Sequence, residues 1–157
     1  MTYVLGAKSK EKLSTVHPDL RKVVERAIQI TTVDFTVLEG VRTQERQYEL
    51  FSQGRNVAEL RKAGVPSRVL AQPGKPKVTW TLKSNHFKHS DGFGHAVDLA
   101  PFPIDWNDLR KFDAIAKAMF QAADEVGVGI RWGADWDQDG KPREKGETDS
   151  PHFELGK

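Results

Sequence analysis

Residues 84–101 read SNHFKHSDGFGHAVDLAP, and residues 149–155 read DSPHFEL. These two stretches hold four of the five histidines, with aspartates beside them, in a chain that has no cysteine. Zinc at a catalytic site usually has three protein ligands, often imidazoles with a carboxylate, and keeps a fourth position for water. The two stretches therefore predict a metal site that is shared by the middle and the end of the chain.

The candidate ligand in the middle of the chain is a carboxylate with apolar neighbours. Asp98 lies in the sequence AVDLA at residues 96–100, a pattern typical of a buried strand. A carboxylate in such a place must be ion-paired, hydrogen-bonded or bound to a metal. A buried salt bridge is therefore the alternative interpretation of Asp98.

The tail supplies a second candidate ligand. Phe153 and Leu155 alternate with His152 and Glu154, as in a short strand that has one face in the core. His152 is then expected to point away from the core, into the cleft that the sheet borders. Asp149 precedes it by three residues, near enough to act on a metal-bound water without being a ligand.

Several short motifs along the chain together resemble one known family. They are SxH at residues 84–86, GxAxD at 94–98, DSPHFEL at 149–155, EGVRT at 39–43 and IRWGADW at 130–136. Taken in their order along the chain, these motifs resemble those of the zinc peptidases that include D-alanyl-D-alanine carboxypeptidases of the VanY type. The same family contains the L-alanyl-D-glutamate peptidases that tailed bacteriophages use as endolysins.

The resemblance implies a fold and a set of metal ligands. The implied fold is α+β, a small antiparallel sheet flanked by helices with a zinc cleft on the sheet, forming one catalytic domain over residues 1–157. The implied Zn2+ ligands are His86, Asp98 and His152. Because the loop after His86 is longer than is usual in the family, His89 is an alternative first ligand. His86 is preferred since it keeps the SxH context.

The resemblance also implies catalytic and substrate-binding residues. Asp149 would move protons during hydrolysis, and Arg42 would bind substrate and stabilise the oxyanion as a cation that never deprotonates. Judged by their own places in the sequence, Ser84 in the SxH motif and Trp132 on the strand at 130–132 are candidate substrate-binding residues. The alternatives are a serine that only caps its loop and a tryptophan that belongs to the core.

A second candidate metal site lies between the two stretches. Asp135, Asp137 and Asp139 alternate and are followed by Gly140, as at the start of an EF-hand calcium loop. The glutamate expected at the twelfth position is Gly146 in this chain, with Glu147 one place late. The segment is therefore interpreted either as a charged hairpin turn or as a Ca2+ site.

Composition describes a single globular domain. The chain has 157 residues, 38% of them hydrophobic and 29% charged, with a mean hydropathy of −0.58. No apolar run approaches the roughly 20 residues that span a bilayer, and the start of the chain lacks the features of a signal peptide. We expect a monomer without a membrane anchor, made in the host cytoplasm and released to the wall by a separate factor.

Charge is distributed unevenly between the two halves of the sequence. Residues 1–83 contain 15 Lys and Arg against 8 Asp and Glu, whereas residues 84–157 contain 9 against 14. A basic half favours an anionic polymer as partner. That half lacks the interleaved aromatic residues of a nucleic-acid platform, so peptidoglycan is the expected partner and nucleic acid is not.

Periodicity predicts the secondary structure that carries these residues. A helix is expected from Pro18 after a cap at Ser14 or Thr15, and a long helix from about Asn107 to Val126. The remaining predicted elements are helices at 44–51 and 56–62, strands at 33–37, 78–82 and 130–132, and a mobile flap or simple insertion around 66–76.

The residues themselves indicate metal-assisted hydrolysis, and the resemblance implies the bond. The predicted function is a zinc peptidase that cuts L-alanyl-D-glutamate bonds in peptidoglycan and lyses the host cell. One alternative is a D-alanyl-D-alanine carboxypeptidase, which keeps the chemistry and changes the bond. The other is a non-catalytic module that binds the cell wall.

Overall fold

The computed structural model describes residues 2–144 and 147–156. Over those residues the chain forms short helices, two longer helices and one sheet. In chain order the elements are α1 (Ala7–Leu13), α2 (Pro18–Ile30), β1 (Phe35–Glu39), α3 (Gln44–Ser52), α4 (Val57–Ala63), β2 (Ala96–Pro101), α5 (Leu109–Val126), β3 (Ile130–Trp132) and β4 (His152–Leu155).

The four strands form one antiparallel sheet in the order β1-β2-β4-β3. The last strand of the chain therefore lies inside the sheet, beside β2. In this register Asp98 lies directly opposite His152, and directly opposite residues of an antiparallel pair share one face of the sheet. The α+β fold with a small antiparallel sheet is confirmed.

The other face of the sheet packs against the two longer helices, α2 and α5. Val97, Leu99 and Phe153 are almost fully buried there, together with the apolar faces of both helices. The pleat sends successive side chains of a strand to opposite faces. Burial of Val97 and Leu99 against the helices consequently directs Asp98 to the opposite face.

The helix boundaries follow from identifiable caps. His17 caps α2, since its Nδ1 accepts a hydrogen bond from the Asp19 N–H at 3.0 Å. The predicted caps Ser14 and Thr15 were wrong, because their hydroxyls donate to carbonyls of α1 instead. The predicted end of α5 at Gly127 is confirmed, where φ is 73° and glycine carries no steric penalty.

The predicted strand at residues 78–82 is absent, and those residues run along the cleft as an irregular segment. Hydrogen bonds from side chains, rather than from a neighbouring strand, satisfy the backbone of this segment. The Gln47 amide donates to the Thr81 carbonyl at 2.7 Å, and the Thr81 hydroxyl accepts from the Lys83 N–H at 3.0 Å. High β-propensity alone does not make a strand when no neighbouring strand is available.

Helix α1 was not predicted from the sequence. It lies on β1, where the buried Ser9 hydroxyl accepts a hydrogen bond from the Val37 N–H at 3.0 Å. None of the described helices has the length and apolar character needed to cross a lipid bilayer.

Candidate metal centre and cleft

His86, Asp98 and His152 meet on the open face of the sheet, where one ligand atom of each lies within 4.8 Å of those of the other two. Asp98 Oδ1 lies 3.3 Å from His86 Nε2 and 3.4 Å from His152 Nδ1. In a tetrahedral zinc site with bonds of about 2.0–2.1 Å, neighbouring ligand atoms are about 3.3–3.4 Å apart. Both spacings from Asp98 therefore fit a single zinc-sized ion held with His86 and His152.

The His86 ring is held by the backbone of another element. Its Nδ1 lies 2.7 Å from the Gly40 carbonyl oxygen, to which Nδ1–H donates, and the side chain is 1% exposed. With Nδ1–H bound to Gly40, Nε2 is the ring nitrogen that faces Asp98. A hydrogen bond at one ring nitrogen fixes which nitrogen is free for a metal.

The His152 ring is held by a carboxylate on its own strand. His152 Nε2 donates to Glu154 Oε1 at 2.8 Å, and Glu154 Oε2 accepts from the Asn85 amide at 2.7 Å. This leaves Nδ1 of His152 for a metal. Sequence reasoning assigned no role to Glu154, although its position two residues after His152 placed it on the same strand face.

The negative charge of Asp98 and Glu154 favours a cation in the cluster, either a proton on His152 or a metal ion. Burial raises the pKa of Asp98, but hydrogen bonds from His152 and His86 hold that pKa well below its usual range. Burial lowers the pKa of His152, but hydrogen bonds to Asp98 and Glu154 raise it to about 9. A metal bound at His152 Nδ1 must displace a proton from the ring.

His89, the alternative first ligand, lies outside the cluster. Its ring stacks on His95, with the two centroids 3.7 Å apart and the planes 7° from parallel. Of the two histidines, the structure thus brings only His86 to Asp98 and His152.

Arg42 lies beside the cluster with its side chain 12% exposed. The guanidinium donates two hydrogen bonds to Glu39, at 2.9 and 2.6 Å, and one to Gln47 at 2.9 Å. Its Nη2 lies 3.6 Å from Asp98 Oδ2. Burial lowers the pKa of Arg42, but the Glu39 and Asp98 carboxylates more than offset this and raise it.

Asp149 lies at the edge of the cluster and reaches towards solvent. Its Oδ2 is 4.0 Å from His152 Nδ1, and 55% of the side chain is exposed. Partial burial of the carboxyl raises its pKa, and so does the negative charge of Asp98, although His152, His86 and Arg42 act in the opposite direction. A carboxyl with a raised pKa holds a proton more readily, which suits it to proton transfer.

The turn that carries Asp149 is positioned by residues next to β3. A Cβ on Gly133 would lie 2.3 Å from the Asp149 carbonyl oxygen, so only glycine permits this close approach. The Trp132 indole N–H donates to the Ser150 carbonyl at 2.7 Å. Both contacts place the carboxylate at the rim of the cleft.

Trp132 does not line the cleft, so the alternative interpretation, a tryptophan that belongs to the core, describes it. The ring is 6% exposed and stacks on Phe153 in the core, with centroids 6.2 Å apart. Trp136 lines the cleft instead, with its ring centroid 5.4 Å from that of His152. The short strand β3 turns Trp132 inward, and the following turn exposes Trp136.

The cleft above the cluster has a volume of about 680 Å³, within the usual range for a ligand site. Ser84 lines it, and its hydroxyl accepts a hydrogen bond from the His86 N–H at 3.0 Å. This bond shapes the turn that delivers His86. The segment at residues 78–83 and the loop after His86 also line the cleft.

The acidic segment after β3 forms a second cluster of carboxylates. Asp135, Asp137 and Asp139 lie close together, and Asp137 also groups with Glu144 and Glu147. Glu147 is 5% exposed, its Oε2 accepts from the Asp137 N–H at 3.1 Å, and its buried Oε1 has no partner in the described chain. Gly146, the twelfth position of the predicted loop, lies outside the described residues.

Comparison with known proteins agrees with the resemblance seen in the motifs. A sequence model of the phage L-alanyl-D-glutamate peptidases matches residues 1–74 and 66–156. An L-alanyl-D-glutamate peptidase of Escherichia phage T5 is 34% identical over 161 residues, covering 99% of both chains. The crystal structure of the Serratia marcescens L-Ala D-Glu endopeptidase ChiX matches with a TM-score of 0.63 and 30% identity, over 98% of this chain and 90% of that chain. The chain belongs to the phage L-alanyl-D-glutamate peptidase family.

Proposed function

We propose that this protein is a zinc-dependent endolysin that hydrolyses the L-alanyl-D-glutamate bond of the peptidoglycan stem peptide. The observation that carries the proposal is the spacing of His86, Asp98 and His152 at the floor of an open cleft. Membership of the peptidase family supports the choice of bond. The chain acts as a single domain and a monomer that reaches the wall after release by a separate factor.

The ligand set fits zinc by donor chemistry, since it offers two imidazoles and one carboxylate at tetrahedral spacing. A zinc ion held by these three residues would act as a Lewis acid and would lower the pKa of water towards about 7, which would provide a nucleophile at neutral pH. Gly40 and Glu154 keep the two imidazoles in the orientation and tautomer that the ion requires.

Asp149 is the proposed proton-transfer residue. Its carboxylate takes a proton from the attacking water and later passes that proton to the leaving amine nitrogen of the D-glutamyl residue. The raised pKa of its carboxyl suits both steps. Its position at the rim leaves the carboxylate free to face substrate.

Arg42 is the proposed stabiliser of the oxyanion. Three of its five N–H donors are bound by Glu39 and Gln47, so the planar fork is fixed where Arg42 lines the cleft. A preorganised cation at this place needs no rearrangement when charge develops on the carbonyl oxygen.

Product analysis tests the proposed bond. Digestion of purified walls followed by mass spectrometry is expected to release peptides that begin with D-glutamate. Release of single D-alanine residues would instead support the carboxypeptidase alternative. A protein that sediments with walls and releases no peptide would support the binding-module alternative.

Glu154→Gln tests how His152 is positioned. The amide keeps the size of the side chain and removes the negative charge that the His152 N–H faces. We expect zinc affinity to fall by about 10- to 100-fold, as is usual when the partner of a metal-binding histidine is changed. Competition with a coloured chelator measures this. Glu11→Gln, an exposed change in α1, is the control, and equal affinity of both variants would contradict the assigned role.

We also propose that the acidic cluster after β3 binds Ca2+. Oxygen donors from several carboxylates suit this hard cation, and the buried, unpartnered Oε1 of Glu147 is an unused ligand. Hydrogen bonding to Asp139 raises the pKa of Glu144 to about 7, which reflects crowded negative charge. Trp136 is part of this segment and also lines the cleft, where its ring lies beside that of His152.

Glu147→Gln is expected to weaken Ca2+ binding by about tenfold or more, because it removes a charged ligand. Calorimetric titration of zinc-saturated protein measures the affinity, and Glu11→Gln again serves as the control. If the unmodified protein produces no heat of binding with millimolar calcium, the segment is the charged turn of the alternative interpretation.

A further inference from the structure

Two lysines beside the candidate metal centre have no partner in the described chain. Lys83 and Lys88 flank the turn that carries His86, are exposed, and line the cleft. Within residues 2–144 and 147–156, neither ammonium group makes a hydrogen bond or an ion pair with a protein group. Both cations are therefore free to meet an anion that enters the cleft.

Arg42, the third cation of the cleft, is already ion-paired with carboxylates of the protein. Glu39 binds its guanidinium through two hydrogen bonds, and Asp98 lies 3.6 Å from it. A carboxylate on the substrate would have to compete with those protein carboxylates for Arg42. The two lysines carry no such competitor.

The net charge of the cleft also favours an anionic ligand. Among the described residues, three cationic side chains line the cleft with three carboxylates, Asp98, Asp149 and Glu154, and Glu39 adds a fourth negative charge behind Arg42. A bound divalent ion therefore leaves the cleft with a net positive charge. Clefts with an excess of one sign of charge attract ligands of the opposite sign.

We propose that Lys83 and Lys88 form a cationic subsite for the free α-carboxylate of the D-glutamyl residue. This inference rests on the proposed function and names the group that selects its substrate. The D-glutamyl residue is linked onward through its γ-carboxyl group, so its α-carboxylate is free. That carboxylate is attached to the carbon that bears the leaving nitrogen, next to the bond that breaks.

The subsite makes a specificity prediction that can be measured with two substrates. They are muropeptides that differ only in carrying the α-carboxylate or the α-carboxamide on the residue after L-alanine. The unmodified protein is expected to cleave the carboxylate form with a kcat/KM about 5- to 20-fold higher, a range typical of partly exposed charge pairs in a binding site.

The double variant Lys83→Gln and Lys88→Gln is expected to lose this preference. Its kcat/KM should fall on the carboxylate substrate and stay within about twofold on the carboxamide, because only the former loses a charge partner. Lys75→Gln, an exposed change outside the cleft, is the matched control and should leave both rates unchanged.

The results with the two substrates distinguish a failure of the subsite proposal from a failure of the proposed function. If the unmodified protein cleaves both substrates equally, or if the double variant loses rate equally on both, the subsite is wrong and the peptidase proposal stands. Cleavage of neither substrate by zinc-loaded protein contradicts the proposed function itself.

Discussion

His86→Ala is expected to abolish both zinc binding and wall hydrolysis. The side chain is almost fully buried, its Nδ1 bonds to Gly40, and its Nε2 faces Asp98 at 3.3 Å. Removing it leaves two ligands, which are too few for a catalytic zinc site. Elemental analysis of the purified variant and a turbidity assay on isolated walls measure the two effects.

His89→Ala is the matched control for this experiment. It removes an imidazole from the same loop, three residues away, that stacks on His95 and lies outside the cluster. We expect zinc content to be unchanged and lysis to remain within a few-fold of normal. A variant without His86 that keeps its zinc, or a loss of zinc on changing His89, would reverse the assignment.

Asp149→Asn is expected to separate catalysis from metal binding. The change keeps the shape of the side chain and removes its capacity to accept and return a proton, which contributes about 10²- to 10⁴-fold in rate. Because Asp149 lies 4.0 Å from His152 and is largely exposed, zinc content should stay at the normal level. Single-turnover hydrolysis of a muropeptide measures the rate.

Asp124→Asn is the control for this variant, since it removes an exposed carboxylate from α5, away from the cleft. It should lyse walls normally. Normal rates in the Asp149 variant would remove that residue from the mechanism. A parallel loss of zinc would show instead that Asp149 helps to hold the ion.

The sequence predicted that His86, Asp98 and His152 would lie together because these residues belong to short motifs with regular patterning. Asp98 and His152 each alternate with buried apolar residues, so the face on which they lie follows from the period of a strand. The register that sets one directly opposite the other is a long-range property of β2 and β4. Sequence alone does not provide that register.

The expectations for Trp132 and for residues 78–82 differ from the structure for the same physical reason. Trp132 and Trp136 lie four residues apart, and composition does not tell which of them the short strand β3 buries. The segment at 78–82 has the residues of a strand, yet the Gln47 side chain takes the place of a partner. In both cases a tertiary contact overrides the local preference.

The residues that orient the metal cluster were also missed. Gly40 contributes only its carbonyl oxygen, which any residue type possesses, and its importance depends on a close approach to α1 that excludes a side chain. Glu154 was recognisable as a polar residue on the cleft face. Its role became clear only with its hydrogen bonds to His152 and Asn85.

Metal removal and restoration test the central claim most directly. The unmodified protein is stripped with a chelator, its residual zinc is measured, and release of new D-glutamyl amino termini from isolated walls is followed before and after zinc is added. We predict no release from the stripped protein and full recovery at one zinc ion per chain. Hydrolysis at the normal rate by protein verified to be free of metal would contradict the account.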